Sequence, residues 1–175
     1  MNNNRSAYKI TRIAVLVAIS VLLQYIVPFK VGGFLDVELS DFPAVIGTLA
    51  LGPIAGVLIE LLKNIIHLPV STTGFVGEFA NFVVNGTLVL VIGVIYKFNK
   101  TKKGALFALL AGTIFMTIAA TLINRYIMLP MYMKNVPVNV YWDTVFSLIT
   151  PFNFARGILL SILTFFSYKK LRTLL

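Results

Sequence analysis

Charged and amide side chains recur at helical spacing inside a strongly apolar part of the chain. Glu60, Lys63, Asn64 and His67 occupy positions i, i+3, i+4 and i+7, and on an α-helix these positions share one face. A charge at the centre of a bilayer costs about 2.5–3.5 kcal/mol on insertion scales, so such residues usually face the protein interior or water. The spacing predicts either a Glu60–Lys63 pair at the membrane interface or one wall of a buried polar site.

A second polar face follows in the next apolar segment. Glu78, Asn81 and Asn85 have the spacing i, i+3 and i+7, which also puts them on one side of a helix. Three further candidates lie in later apolar segments: Asn124, Asn153 and Arg156. An amide donates and accepts hydrogen bonds at once, so these side chains predict a pocket for an uncharged ligand rich in hydrogen-bonding groups. The alternative is that the amides only join neighbouring helices.

The composition of the chain indicates where these faces must be built. The 175 residues are 58% hydrophobic and 12% charged, with a mean hydropathy of +0.91, whereas soluble domains carry about 25% charged residues. Several apolar runs approach the roughly 20 residues that cross a bilayer. We therefore predict an all-α membrane protein, a six-transmembrane-helix bundle that forms a single domain over residues 1–175. The net charge of +9 is concentrated at helix ends, which favours contact with the lipid bilayer over nucleic acid.

Glycine, proline and capping residues predict the helix boundaries. Gly52 and Pro53 end one short helix and begin another, and interrupted helices at membrane depth require surrounding protein or a cavity. Thr150 and Pro151 fit the N-cap and N1 positions of the last helix. The six predicted helices span residues 8–27, 42–51, 53–67, 77–98, 103–132 and 150–170.

Lysine and arginine placement predicts the orientation of the bundle. Three basic residues lie at the N-terminal end, four lie at 97–103 and three lie at 169–172. With six helices all three groups fall on one side, and an excess of Lys and Arg marks the cytoplasmic side. Both termini are therefore predicted to be cytoplasmic. The loops on the opposite side are expected to carry the acidic residues Asp36, Glu38, Asp41 and Asp143.

The sequence also excludes several classes of function. It has no G-x-x-x-x-G-K-[ST] motif for a P-loop ATPase. It has no cysteine, and His67 is its only histidine, so we predict no metal site and no cofactor other than a transported ligand. Two alternatives stay open on the residues alone. One is an intramembrane enzyme with Glu60, His67 and Glu78 as acid–base groups, and the other is a scaffold or channel subunit without a small ligand.

Four stretches of the chain are similar to a known transporter family. They read DFPAVIGTLALGPIAGVLIELLKNIIHL, STTGFVGEFANFVVNG, LINRYIMLPMY and TPFNFARGILLSILTF. On these stretches the chain resembles the substrate-binding S component of energy-coupling factor (ECF) vitamin transporters, and most closely the riboflavin-specific type. The similarity runs from Arg12 to about Leu171 and so includes nearly the whole chain.

That resemblance implies a ligand and a set of partners. Riboflavin, with FMN as a second candidate, is expected near the extracellular face beneath a lid formed by the loop between helices three and four. A transmembrane T subunit and two ATPases are expected to supply the energy, in the cell membrane of a prokaryote, and the chain itself is not an enzyme. An S component for pantothenate, folate or thiamin is the alternative within the family. The blocks around Asn64 and Glu78 favour riboflavin.

The resemblance assigns roles to individual residues where the motifs match. Asn124 in LINRY and Asn153 in PFNFARG match positions of ligand-binding asparagines. Arg156 stands where the family often has lysine, and its guanidinium is larger and planar. Ala14 and Ala18 are small residues one turn apart, which permit close helix approach, and they match the family's AxxxA motif for docking the T subunit.

The chemistry of riboflavin agrees with these residue types. Its ring system carries an imide-like edge, which an asparagine can both donate to and accept from. Its ribityl hydroxyls require polar partners, and Asn153, Arg156, Glu60 and Lys63 are expected to supply them. The flat ring requires an apolar slot. The aromatic candidates for that slot are Phe34, Phe75, Phe79, Tyr126 and Phe152.

Overall fold

The structure, a computed structural model, describes residues 2–26, 29–31, 35–37, 39–133 and 136–172. The described helices are α1 (Asn2–Ile26), α2 (Phe42–Leu51), α3 (Pro53–His67), α4 (Gly74–Phe98), α5 (Lys102–Ile123), α6 (Leu129–Tyr132), α7 (Val138–Thr144) and α8 (Thr150–Arg172). A 3₁₀ turn, Leu68–Val70, follows α3. Two π-helical segments join α5 to α6 (Asn124–Met128) and α7 to α8 (Val145–Ile149).

Within the described residues, five helices are long and apolar enough to cross a membrane. They are Ser6–Ile26, Pro53–Val70, Gly74–Phe98, Lys102–Tyr132 and Val138–Tyr168, and α2 is a shorter apolar helix. The predicted helical membrane bundle is confirmed. The break between the two short helices is confirmed as well, because Gly52 has a positive φ of 100° and Pro53 opens α3.

A short hairpin follows α1, and the sequence analysis did not predict it. Strand β1 (Phe29–Val31) pairs antiparallel with β2 (Leu35–Val37), with Lys30 opposite Asp36. Three residues are too few to establish the alternation of apolar and polar positions that predicts a strand. The hairpin lies between the first membrane helix and the residues that precede α2.

The last membrane helix begins earlier than predicted. It starts at Val138 rather than at Thr150 and continues through the π-helical segment into α8, so the assignment of Thr150 as an N-cap is wrong. The hydroxyl of Thr150 instead lies 2.8 Å from that of Thr121 on α5. Asp143 lies in α7 and not in a loop. The start of α4 also differs, at Gly74 rather than Gly77.

Proline explains both the π-helical segments and this error. Each segment ends two residues before a proline, Pro130 in one helix and Pro151 in the other. A proline inside a helix has no N–H to donate, and its ring clashes with the carbonyl four residues earlier. Widening the preceding turn accommodates the ring without ending the helix. Pro151, which was predicted at the start of a helix, therefore lies inside a continuous helix.

Helix α2 is short because other helices enclose it. It contacts α1, α3, α4 and α8, and residues Pro43 to Leu49 are buried. A half-length helix with exposed backbone ends would be costly in lipid, but here protein surrounds it. Helix α4 packs against α3 and α5, α5 packs against α8, and α1 lies at the edge against α2 and α3.

The bundle has two chemically different ends. We call the end that carries Asp41, His67, Thr73 and Tyr132 the polar end. The opposite end carries the start of α1 and the lysine-rich connection between α4 and α5, and we call it the basic end. At the basic end, Tyr8, Lys9, Arg12, Ala50 and Leu51 line an open groove.

Candidate ligand-binding site

A buried network of ion pairs joins three helices at the polar end. The Lys63 Nζ on α3 lies 2.5 Å from Asp41 Oδ1 and 2.8 Å from Glu60 Oε2. The guanidinium of Arg156 on α8 pairs with the second carboxylate oxygen of Asp41. The side chains of Asp41, Glu60 and Lys63 are 0% exposed. The predicted Glu60–Lys63 pair therefore exists, but it lies in the protein interior and not at the membrane interface.

Asp41 is the residue of this network that the sequence analysis missed as a site residue. It was expected in an acidic loop, and it does lie in the turn just before α2, but there it contacts both cations. Burial raises the pKa of this carboxyl, but the Arg156 guanidinium and the Lys63 ammonium outweigh burial and lower the pKa below its ordinary value. The available signal was indirect. A buried lysine and a buried arginine require carboxylates nearby.

Three of the predicted asparagines are held in the same way by their own helices. The Nδ2 group donates to the carbonyl four residues earlier: Asn64 to Glu60 (2.7 Å), Asn124 to Ala120 (2.8 Å) and Asn153 to Ile149 (2.9 Å). This bond fixes the amide plane through one N–H, so the amide oxygen of each group is not used by it. For Asn64 the oxygen is buried and has no hydrogen-bond partner among the described residues.

Asn124 and Asn153 both lie in or close to a π-helical segment. Asn124 is the first residue of one π-helical segment. Asn153 lies one turn beyond the other and bonds to the last residue of that segment. Such bulges are common at functional sites because they redirect side chains that a regular helix would place elsewhere. Of the two residues expected to contact the ligand, one thus lies in a π-helical segment and the other lies one turn after such a segment.

The second predicted face, on α4, is also turned into the protein. Glu78 and Asn85 are buried, and Asn81 is half-buried. The Glu78 Oε1 lies 2.9 Å from the Nδ1 of His67, and the amide of Asn85 donates to that of Asn81. The contact between His67 and Glu78 joins the end of α3 to the start of α4, whereas the bond between Asn85 and Asn81 lies within α4. The polar side chains predicted for both faces therefore avoid the lipid-facing surface, as the cost of exposing them to hydrocarbon requires.

Comparison with known proteins identifies the family. The family model described as the substrate-specific component of ECF transporters matches residues 8–168. The chain belongs to this family. The resemblance seen in the sequence is confirmed, and the S component is a transporter subunit and not an enzyme. Its apolar helices make it a multi-pass membrane protein.

Individual relatives align with this S component over most of their length. It is 29% identical over 180 residues to the riboflavin transporter RibU of Staphylococcus aureus (strain TCH60), covering 100% of this chain and 94% of that protein. It is 31% identical over 147 residues to the riboflavin transporter FmnP of Bacillus subtilis (strain 168), covering 79% and 77%. A solved S component of a bacterial ECF transporter superposes with a TM-score of 0.81 at 30% identity, covering 97% of this chain and 98% of that one.

A second residue of the S component that sequence reasoning missed is Arg125. It is buried, and its Cζ lies 4.8 Å from the ring centroid of Trp142, 5.3 Å from Tyr126 and 5.4 Å from Tyr141. These cation–π contacts fasten the first π-helical segment to α7. The signal was present, because an arginine beside Asn124 in an apolar helix requires partners, but two of its three aromatic partners, Tyr141 and Trp142, come from a helix that was not predicted.

The aromatic candidates for a ring slot lie in different surroundings. Phe75 and Phe79 stack on each other at 6.2 Å and are 69% and 44% exposed. Tyr126 packs edge-on against Trp142, Phe152 is half-buried, and Phe34 lies outside the described residues. Which ring contacts a ligand stays a prediction.

The predicted docking pair lies on the outer face of α1. Ala14 and Ala18 are exposed, and Val15, Ile19 and Leu22 beside them are between 42% and 60% exposed. Because α1 packs only at the edge of the bundle, this apolar face is open to a neighbour in the membrane.

Proposed function

We propose that this chain is the riboflavin-binding S component of an ECF vitamin transporter, and that it takes the vitamin up at its polar end. The observation that carries the proposal is the set of inward-facing amides and charges at that end, of which Asn124 and Asn153 are held by their own helices. Riboflavin has an imide edge and a polyol chain, and both require donors and acceptors of this kind. The two similar proteins named riboflavin transporters support the same ligand.

The polar end faces the cell exterior in this proposal. The basic end then faces the cytoplasm, in keeping with its lysines at 97–103, and both termini are cytoplasmic. Membership of the ECF family supports a T subunit and two ATPases as partners. The exposed face around Ala14 and Ala18 on α1 is the surface proposed for the T subunit, because small residues allow helices to approach closely.

The loop between α3 and α4 covers the site in this proposal. Its ends are joined by the contact between His67 and Glu78, and Tyr132 Oη donates to the carbonyl of Thr73 at 2.6 Å. These bonds attach the loop to α4 and to the end of α6. Breaking the single bond from Tyr132 would free the loop without unfolding either helix, which is the property that a lid needs.

Purification tests the ligand directly. Protein isolated in mild detergent from riboflavin-containing cells is expected to be yellow, and flavin fluorescence should appear when the protein is denatured. Flavin-free protein, refilled by titration, should quench added riboflavin. Pantothenate, folate and thiamin added in excess should not displace it. Colourless protein that leaves riboflavin fluorescence unchanged would refute the ligand, and displacement by one of the other vitamins would identify a different S component.

A further inference from the structure

The basic end of the bundle carries many cations and few nearby acidic residues. Three basic residues lie at the start of α1, four lie at 97–103 and three lie at 169–172. The six acidic residues of the sequence lie in other parts of the chain: Asp36, Glu38, Asp41, Glu60, Glu78 and Asp143. An excess of positive charge of this kind attracts anions from outside the chain.

Two of these cations line the open groove between the start of α1 and the end of α2. Lys9 and Arg12 are three residues apart, which puts them on one side of α1. Ala50 and Leu51 line the groove from α2, and its volume is about 500 Å³. Within the described part of the chain, no ion pair involves Lys9 or Arg12. The groove thus combines two cations with an apolar wall.

The groove lies at the depth of lipid headgroups. The described span of α1 begins at Ser6, and a helix rises about 1.5 Å per residue. Lys9 and Arg12 therefore lie within about 10 Å of the start of the span, from where their long side chains reach the interface. Tyr8, which also lines the groove, is 67% exposed. Tyrosine is enriched at the level of the headgroups.

We propose that this groove binds one anionic phospholipid, with its phosphate on Lys9 and Arg12 and its first acyl carbons against Ala50 and Leu51. A guanidinium binds two phosphate oxygens at once, and an ammonium adds a point charge. The apolar wall favours a lipid over inorganic phosphate, which has no apolar part to cover that wall. The inference goes beyond the proposed function and does not depend on which vitamin is bound.

The groove is separate from the surface proposed for the T subunit. Ala14 follows Lys9 by five residues, and five residues turn the face of a helix by about 140°. The lipid and the T subunit can therefore contact different sides of α1. This separation allows lipid binding to be measured on the S component alone.

The test measures lipid binding to the full-length protein in mild detergent by native mass spectrometry. Phosphatidylglycerol and phosphatidylcholine are added separately, because both contain a phosphate but only the first has a net negative charge. The wild type should bind phosphatidylglycerol more tightly. Lys9→Gln/Arg12→Gln should weaken that binding about 25-fold, since each cation near an anionic surface contributes a factor of about five. Arg12→Gln alone, with about a fivefold loss, keeps the test available if the double variant does not fold.

Lys102→Gln/Lys103→Gln is the matched control, because it removes the same charge from exposed residues of the basic end outside the groove. It should change the affinity by no more than about twofold, since solvent screens these charges. Equal losses in the two double variants would show a general attraction to the basic end and overturn the inference. Equal binding of the two lipids by the wild type would overturn it too. Displacement of phosphatidylglycerol by inorganic phosphate would identify a phosphate site instead of a lipid site.

Discussion

The polar end and the basic half of the bundle are held together by different interactions. At the polar end, ion pairs of buried charges and the contact between His67 and Glu78 join α2, α3, α4 and α8. Toward the basic end, the helices approach at small residues. A Cβ added at Gly93 on α4 would lie 2.5 Å from the Cβ of Pro53 on α3, and one added at Gly112 on α5 would lie 2.5 Å from Ile92 Cγ1 on α4.

The stability of each half of the bundle therefore depends on a different kind of residue. Lipid is as apolar as the helix surfaces, so helices in a membrane associate mainly through close van der Waals packing, and small residues provide it. The basic half follows this rule. The polar end keeps charges that need compensation by neighbours, and these same groups can serve a polar ligand. Each half should therefore respond to its own kind of substitution.

The largest effect on folding is expected from Asp41→Ala. The variant removes the carboxylate that contacts both Lys63 and Arg156 in the interior, and breaking such a buried pair costs about 3–5 kcal/mol. The measurement is the free energy of unfolding of ligand-free protein in detergent. Asp143→Ala, at an exposed acidic residue of the same end, should change it by no more than about 0.5 kcal/mol. Equal losses in the two variants would contradict a central role for the network.

The next effect concerns affinity and not folding. Asn153→Ala removes an amide that is fixed by its bond to the Ile149 carbonyl, and we expect riboflavin to bind roughly 10–100-fold more weakly, since a lost buried hydrogen bond costs about 1–3 kcal/mol. Asn124→Ala should behave alike. Asn99→Ala removes an amide at the basic end and should leave affinity unchanged. Wild-type affinity in both Asn124→Ala and Asn153→Ala would remove these residues from the site.

A smaller effect is expected from close packing in the basic half. Gly93→Ala places a Cβ 2.6 Å from the backbone Cα of Pro53, and such overpacking costs about 1–3 kcal/mol. Gly86→Ala on the same helix meets only the Phe82 ring at 3.6 Å, which is ordinary contact. That change should stabilise the helix by up to about 1 kcal/mol. Both are read from unfolding in detergent, and the same sign of change in both would argue against the packing difference.

The smallest effect on the isolated subunit is expected at the exposed face of α1. Ala14 is exposed and takes part neither in the ion pairs of the polar end nor in the close glycine contacts of the basic half. Riboflavin affinity of the Ala14→Trp variant should therefore remain at the wild-type value. Uptake of labelled riboflavin by cells should nevertheless be lost, because a bulky side chain prevents the close approach of the T subunit. Ile118→Trp, at an exposed apolar position of α5, is the control and should retain uptake. Normal uptake by the Ala14→Trp variant would place the docking surface elsewhere.

Local features of the fold could be predicted from the sequence because they depend on neighbouring residues. The Gly52–Pro53 break required only the conformations of those two residues. The inward faces of α3 and α4 followed from the spacing of Glu60, Lys63 and Asn64 and of Glu78 and Asn85. The same use of neighbouring residues gave a wrong helix start at Pro151. A proline after a residue that can cap a helix is the same sequence pattern at a helix start and at a π-helical bulge.

From the amino-acid sequence alone it follows that polar side chains must be buried in a helical membrane bundle, since hydrocarbon does not tolerate them. Only the tertiary structure determined which groups compensate each other. Asp41 is separated from Lys63 by 22 residues and from Arg156 by 115, and Arg125 meets the rings of α7 across a loop. Such partners are chosen by how helices pack, and the periodicity of a single helix carries no information about its neighbours.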